Sequence, residues 1–368
     1  ISHHRMISYN SNWLFLTAVF SFDYFYSTIF IISSLLYGIL IYDTYYLYIN
    51  SFKNKNFYVG LVSFFILIFF LGVLNKYKDF GTDIPGSIIL FYILIIITYL
   101  IFDKKIKNIN KTLVLIYLLA IFAFIIKITN SLIFLYFFLF LFKINFKTLN
   151  YRLILIISLL PLFWFFQNYN ISGCLIWPIE FTCFSNNELA IYELYLIESF
   201  AKGDMGASMS IDSFEWITIW LTNHSNKLIE TYLIFSLIVA YPILHFWFKN
   251  LITNRTLLIF HKLNVKNLNY IFLFFIILLS NLIWFTYAPA YRFGVFYNLS
   301  IIIFLALPFW IKLMNNNYNF LLKYCRYITF IIFIYFTLVN TDKFNWYAKR
   351  FDVWPPIENG QLQSRKKL

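Results

Sequence analysis

Charged residues are scarce in this sequence, and so are the residues that break helices. Only 12% of the 368 residues are Asp, Glu, Lys or Arg, and the chain has 10 glycines and 8 prolines. Soluble domains carry about 25% charged residues. With 61% hydrophobic residues and a mean hydropathy of +0.73, the composition excludes a chain of two or three soluble domains. It predicts an all-α polytopic integral membrane protein, a bundle of membrane-spanning helices.

The sequence also lacks the short motifs of soluble enzymes. It contains no Walker A motif, no G-x-G-x-x-G, no G-x-S-x-G, no H-E-x-x-H and no C-x-x-C. The chain starts at Ile1 without a charged n-region and apolar h-region, so we expect no signal peptide in these residues and a true N-terminus upstream of them. We also find no internal repeat of the kind that secondary transporters have.

Acidic residues are fewer than basic ones, 16 against 29, which gives a net charge of +13. A basic stripe on one helix would favour nucleic acid, but these basic residues fall in small clusters between apolar segments. The positive-inside rule explains that distribution. We therefore expect membrane lipid as a partner and no nucleic acid.

Apolar segments of membrane-spanning length recur along the whole chain. The sequence predicts about ten transmembrane helices, at residues 26–48, 57–75, 86–102, 111–127, 130–143, 151–167, 226–248, 268–288, 294–313 and 325–341. Basic loops alternate with loops that carry little positive charge, which places successive loops on opposite faces. The fifth segment is short, so whether it and the fourth segment both cross stays open.

One long segment, 168–225, has a composition that a membrane would not accept. It carries seven of the 16 acidic residues and a single lysine, Lys202. We therefore place it in water on the outer face, opposite the basic loops. The predicted organisation is a first outer-loop remnant at 1–25, an N-terminal transmembrane module at 26–167, the outer segment at 168–225, a C-terminal transmembrane module at 226–341 and an outer tail at 342–368.

Two of the three cysteines lie in this outer segment. Cys174 and Cys183 are separated by eight residues. In an exported loop such a pair predicts a disulfide, whereas in the cytosol it would be two unrelated thiols. We expect the third cysteine, Cys325, to be free.

Two residues at the outer ends of predicted spans are candidates for ligand binding. Asp83, in the stretch GTDIPG at 81–86, either helps to cap the helix that follows or binds a metal, a sugar hydroxyl or a phosphate. Arg292, in the turn APAYRF at 288–293, either snorkels towards lipid headgroups or captures a phosphate. It is the one basic residue between Lys266 and Lys312, on the face where positive charge is sparse.

The first residues form a polar cluster that contains His3, His4 and Arg5. It precedes a short apolar stretch at 13–22, which predicts a helix lying in the membrane interface. Adjacent histidines point in different directions, so we do not expect a metal site made by both. Contact of His4 or Arg5 with a ligand and plain solvation stay open. The isolated His224 is interpreted as structural.

Four parts of the chain carry a family resemblance: HHR at 3–5 with NSNW at 10–13, DIP at 83–85, SGCLIWP at 172–178 with TCF at 182–184, and APAYRF at 288–293. Together they resemble a family of uncharacterised bacterial multi-spanning proteins encoded among surface-polysaccharide genes. The layout is similar to that of GT-C glycosyltransferases. Those enzymes use polyprenyl-phosphate-linked sugars on the outer face, with a catalytic acid in the first outer loop and often a second acid between spans three and four.

The resemblance implies a bacterial inner-membrane glycosyltransferase, with the long acidic loop on the periplasmic side. Such an enzyme would move a sugar, with inversion, from a polyprenyl-phosphate donor to a cell-surface glycan or lipid-linked acceptor. Asp83 would be the acid of the second loop and hold a divalent cation such as Mg²⁺ or Mn²⁺, or orient the donor. The substrate would be bound by Arg292, Tyr291, Arg5 and His4. The first-loop acid is not in these residues, so this chain by itself is expected to be inactive.

Two other classes of protein stay open. An O-antigen-type polysaccharide polymerase or ligase is also polytopic, and it depends on outer-face arginines and a histidine rather than on acids. A transporter or flippase for lipid-linked sugars needs polar residues deep in the membrane. The predicted spans contain few of these apart from Ser280, Asn281 and His245.

Overall fold

The computed structural model describes most of the chain, in separate stretches. These are residues 19, 31–72, 83–103, 109–140, 150–176, 179–184, 202, 216–252, 268–287, 289–290 and 293–350. The described stretches are helical and contain no named strand, as the composition predicted. The predicted interfacial helix at 13–22 falls almost entirely outside them.

Eight α-helices and one long 3₁₀ helix make up the described part of the chain. The helices are α1 (Ile31–Lys53), α2 (Phe57–Gly72), α3 (Asp83–Phe102), α4 (Ile109–Ile126), the 3₁₀ helix (Ile128–Phe140), α5 (Tyr151–Ser172), α6 (Trp216–Ile252), α7 (Leu268–Tyr287) and α8 (Val295–Arg350). Within the residues that the structure describes, five stretches are long and apolar enough to cross a membrane: α3, α4, most of α5, α7 and the first 21 residues of α8. The fold is therefore that of a helical membrane protein.

Nine of the ten predicted spans each overlap a different one of these helices. The predicted outer segment, 168–225, is helical at both ends, because α5 continues to Ser172 and α6 already begins at Trp216. Because the ends of both helices carry polar residues, the predicted segment is longer than the connection between α5 and α6. These helices do not confirm ten crossings.

The last two predicted spans, 294–313 and 325–341, lie on the single helix α8, so the predicted loop between them is wrong. The residues between them include four asparagines but no glycine or proline, and they stay helical. A tertiary contact helps to fix this part of α8, since the Tyr318 hydroxyl donates to the Phe52 carbonyl oxygen at 2.8 Å. A helix of 56 residues is about 84 Å long, and it contains no reversal that would return the chain across the membrane.

Helix α3 lies at the centre of the bundle and α5 at its edge. Of their most apolar windows, 78% is buried in α3 but only 17% in α5. Such an all-round apolar helix is typical of a buried position. Aromatic contacts join α8 to this centre, with Phe296 edge-on to Phe91 at 5.0 Å and Trp310 edge-on to Phe65 at 5.6 Å between ring centroids. The start of α8 is thereby fixed beside α3.

Residues 173–184 form a small closed loop after α5. Gly173 ends that helix with φ 74°, a left-handed conformation that glycine adopts without strain. Cys174 and Cys183 then pair as an isolated antiparallel bridge and form the predicted disulfide, with an S–S distance of 2.07 Å. Cys325 is buried and free, as expected.

Candidate functional site

The first candidate site is the start of α3, where Asp83 is the first helical residue. A carboxylate in the first turn is favourable because it lies at the positive end of the helix dipole. Pro85 in the same turn suits a helix start, and the Ser87 hydroxyl donates to the Asp83 carbonyl oxygen at 2.8 Å. The sequence therefore folds locally so that the Asp83 side chain is held at a helix end.

The Asp83 carboxylate forms an ion pair with the Lys127 ammonium group. The two side chains are only 18% and 14% exposed, so the pair is largely shielded from water. Lys127 directly follows α4, and its N–H donates to the Ala123 carbonyl oxygen at 3.1 Å. The pair thus joins the start of α3 to the end of α4, two helix ends that the sequence placed on the same face.

Sequence reasoning missed Lys127. The signal was available, because Lys127 is the one basic residue between Lys111 and Lys143 and falls at the outer end of a predicted span. Arg292 is a candidate for the same reason, as the one basic residue between Lys266 and Lys312.

The Lys127 ammonium also lies over the ring of Phe293, 2.8 Å from its centroid, in a cation–π contact. Phe293 is the last residue of the turn at 288–293, and its N–H donates to the Ala290 carbonyl oxygen at 2.9 Å. The end of this turn therefore lies beside Asp83, 210 positions away in the sequence. We call Asp83, Lys127 and Phe293 the mouth cluster.

The other predicted substrate-binding residues lie outside the described residues: His4, Arg5, Tyr291 and Arg292. Two of them precede Phe293 directly in the chain. In the sequence Arg292 and Tyr291 are therefore one and two residues from the mouth cluster, and their place at the site stays a prediction.

The turn that carries Lys127 is held from two sides. Asn130 is buried, and its Nδ2 donates to the Ala123 carbonyl oxygen at 2.9 Å. From α8, the Tyr297 hydroxyl donates to the Thr129 carbonyl oxygen at 2.7 Å. These bonds fix the backbone of the turn, so that the position of the Lys127 ammonium does not depend on its ion pair alone.

The described residues do not fit the divalent cation that the GT-C resemblance implied at Asp83. Among them, no group of three or more His, Cys, Asp or Glu side chains is placed to share a metal ion. A cation at Asp83 would also compete with the Lys127 ammonium. We derive no step through a metal.

A second feature is a cavity of about 480 Å³ between α6, α7 and α8. Its wall contains a hydrogen-bonded chain of polar side chains. Asn281 Nδ2 donates to Asn298 Oδ1 at 2.7 Å, and Asn298 Nδ2 donates to the Tyr232 hydroxyl at 3.2 Å. The rest of the described lining is aromatic or aliphatic: Trp220, Leu228, Trp284, Phe285, Ile301 and Ile302.

The cavity and the mouth cluster lie on the two sides of one turn. Trp220 Nε1 in the cavity wall donates to the Pro289 carbonyl oxygen at 2.5 Å. Gly294, which follows Phe293, lies against the ring of Trp284 so closely that a Cβ there would overlap it. His224 stacks on Trp220 with 4.8 Å between ring centroids, which agrees with its interpretation as a structural residue.

Fold and sites together define a helical membrane protein with an ion-paired cluster at helix ends and a mainly apolar cavity between α6, α7 and α8 whose wall carries two amides. The chain belongs to the family described as Domain of unknown function (DUF8201), whose model matches residues 3–299. The matched region contains the whole mouth cluster and ends near the start of α8. No curated protein and no solved structure matches the chain.

Proposed function

We propose that this protein is a membrane glycosyltransferase of GT-C type that uses a polyprenyl-phosphate-linked sugar at the outer face of a bacterial inner membrane. The acceptor would be a cell-surface glycan or a lipid-linked glycan. The observation that carries the proposal is the mouth cluster, in which a carboxylate and an ammonium group, each less than one-fifth exposed, meet at helix ends of an apolar bundle.

The two charges of the mouth cluster suit the phosphate and the sugar hydroxyls of such a donor. A phosphate has the charge and the acceptor oxygens to take Lys127 as a hydrogen-bond donor. The Asp83 carboxylate, released from its ion pair, accepts a hydrogen bond from a hydroxyl group. Arg292, which directly precedes Phe293 of the mouth cluster in the chain, would add a bidentate phosphate ligand.

The proposed reaction is an inverting displacement. The acceptor hydroxyl oxygen attacks the anomeric carbon and forms the new C–O bond. The bond between that carbon and the phosphate oxygen breaks, and polyprenyl phosphate leaves with the electron pair. The hydroxyl proton passes to a carboxylate. Lys127 stabilises the negative charge that grows on the leaving phosphate.

Binding of the leaving group tests the role of Lys127. Protein in lipid nanodiscs is titrated with radiolabelled polyprenyl phosphate. We expect Lys127→Met to weaken binding at least tenfold, Lys127→Arg to keep most of it, and the exposed Lys111→Met to match wild type. Unchanged binding in a folded Lys127→Met protein would remove the phosphate role.

Substitution of Asp83 tests the reaction class. In a strain that lacks the gene, the wild-type gene should restore the surface-glycan sugar that the deletion removes, and Asp83→Asn should not. Full restoration by Asp83→Asn together with failure of Arg292→Ala would favour the O-antigen-type polymerase or ligase. Movement of a lipid-linked sugar across proteoliposomes with no transfer would favour the transporter or flippase.

A further inference from the structure

The cavity between α6, α7 and α8 takes no part in the reaction proposed at the mouth cluster. Its volume, about 480 Å³, is within the usual range for small-molecule sites, about 300 to 1,000 Å³. Asn281 lies six residues before the end of α7, roughly 9 Å along the helix axis. The cavity therefore lies below the turn, between α6, α7 and α8, and is open to its surroundings on one side.

The polar chain in its wall has capacity for a ligand. A carboxamide has two N–H donors and a carbonyl that accepts two hydrogen bonds. The bonds from Asn281 to Asn298 and from Asn298 to Tyr232 use only part of this capacity. Amides among membrane helices are costly unless they are hydrogen-bonded, and they commonly mark a binding site. A hydroxyl group, which both donates and accepts, matches them.

The aromatic wall provides an apolar surface. Trp220 meets Phe285 edge-on at 5.3 Å between ring centroids, next to Trp284. Trp284 is 3% exposed, and its Nε1 is buried with no hydrogen-bond partner among the residues that the structure describes. The rings therefore offer the C–H groups of a ligand a mainly apolar surface.

We propose that the cavity binds a neutral, hydroxyl-bearing ring, that is, one saccharide unit, with C–H groups against the indoles and hydroxyls on the amides. Its described lining residues include no Asp, Glu, Lys, Arg or His, so a phosphate or carboxylate would lose its water without a counter-charge. A lipid chain would leave the amides facing hydrocarbon. The inference uses the lining alone and does not rest on the transferase reaction.

Saturation-transfer NMR on the full chain in nanodiscs tests this inference. The probes are methyl β-glucoside and methyl N-acetyl-β-glucosaminide as neutral rings, methyl β-glucuronide as an anion and farnesol as an apolar chain. We expect wild type to transfer saturation to at least one neutral glycoside and not to the glucuronide. Asn281→Leu, which removes an amide, and Ile302→Trp, which fills the space, should each reduce that transfer by more than half.

Leu282→Ala is the matched control, because Leu282 lies beside Asn281 on α7 but is 59% exposed. Its transfer should equal that of wild type. If Asn281→Leu does not fold, Ile302→Trp decides alone, since it leaves the amides in place. Absence of transfer to both neutral glycosides in wild type overturns the proposal, as does transfer that both cavity variants leave unchanged. Transfer to farnesol alone would show that the cavity binds a lipid chain instead, which also overturns the proposal. All of these readouts are independent of polyprenyl phosphate binding.

Discussion

At the scale of single residues, Lys127 determines the charge balance of the mouth cluster. An exposed ion pair contributes up to about 1 kcal/mol, whereas breaking a buried one costs about 3–5 kcal/mol. The Asp83–Lys127 pair, 18% and 14% exposed, lies between these cases. We expect Lys127→Met to destabilise the protein by about 2 kcal/mol, because it leaves the Asp83 carboxylate shielded from water and without its ammonium partner.

Thermal unfolding in detergent measures this effect. The double variant Asp83→Asn with Lys127→Met should be more stable than the sum of the single losses, because neither charge is left alone. Lys111→Met, on the exposed side of α4, should unfold as wild type does. If Lys127→Met also unfolds as wild type does, the pair does not stabilise the fold.

Gly86 provides a second test of the same region. A Cβ at Gly86 would lie 2.6 Å from Asn130 Nδ2, whereas one at Gly38 in α1 would meet nothing within 4 Å. We expect Gly86→Ala to cost about 1–3 kcal/mol, because Asn130 is buried and must move. The matched Gly38→Ala should be neutral or stabilising by up to about 1 kcal/mol, since alanine favours helix.

Unfolding temperatures of the two alanine variants give the comparison. Equal stability of the two would mean that the Asn130 side chain is not held in the place described.

The role of a residue could be predicted only where its neighbours in the sequence indicate it. The helix start at Asp83 could be read from the neighbouring proline and glycine, and the bond between Cys174 and Cys183 from their spacing in a segment that membranes exclude. Lys127 could be singled out by its isolation, but its pairing with Asp83 could not, because an ion pair across 44 positions depends on how two helix ends meet. Hydropathy places both ends on one face and says nothing of their distance.

At the scale of elements, the loop closed by Cys174 and Cys183 is a unit that one bond should stabilise. Closing a loop of about ten residues removes chain entropy from the unfolded state and contributes about 2–3 kcal/mol. We expect Cys174→Ser, with Cys183→Ser, to loosen residues 173–184 while α3 and α4 keep their stability. Hydrogen exchange measures both regions.

The control is wild-type protein in which the bond between Cys174 and Cys183 has been gently reduced and the two thiols alkylated. Its residues 173–184 should exchange as they do in the serine variants. Faster exchange throughout α3 in the serine variants would show that the loop supports the whole bundle.

Helix α8 shows the limit of composition as a guide to elements. Four asparagines within the five residues 315–319 favour a turn, yet the stretch is helical. Asparagine lowers helix propensity by only a fraction of a kilocalorie per residue. Packing of Tyr318 on α1 and burial of Cys325 can offset that cost. The sequence alone shows this cost in helix propensity but not the packing that offsets it.

At the scale of the whole molecule, the charge pattern predicts which connections share a compartment. The acidic connection between α5 and α6 should lie outside and the basic connection between α6 and α7 inside. We expect a cysteine placed at Asn187 to react with a membrane-impermeant reagent in intact cells, and one at Lys262 to react only after permeabilisation. The native cysteines are replaced by serine in both variants. Labelling of both positions from the same side would overturn the predicted topology.

The bond between Cys174 and Cys183 has one more consequence, which concerns the making of the protein rather than its stability. Disulfides form in oxidising compartments and rarely in the cytosol. The two thiols follow α5 directly, and on the predicted topology they become oxidised only after this helix has reached the far side of the membrane. The redox state of the pair in a newly made chain is thus a chemical record of translocation, and trapping free thiols at intervals after synthesis would time the insertion of the first half of the protein.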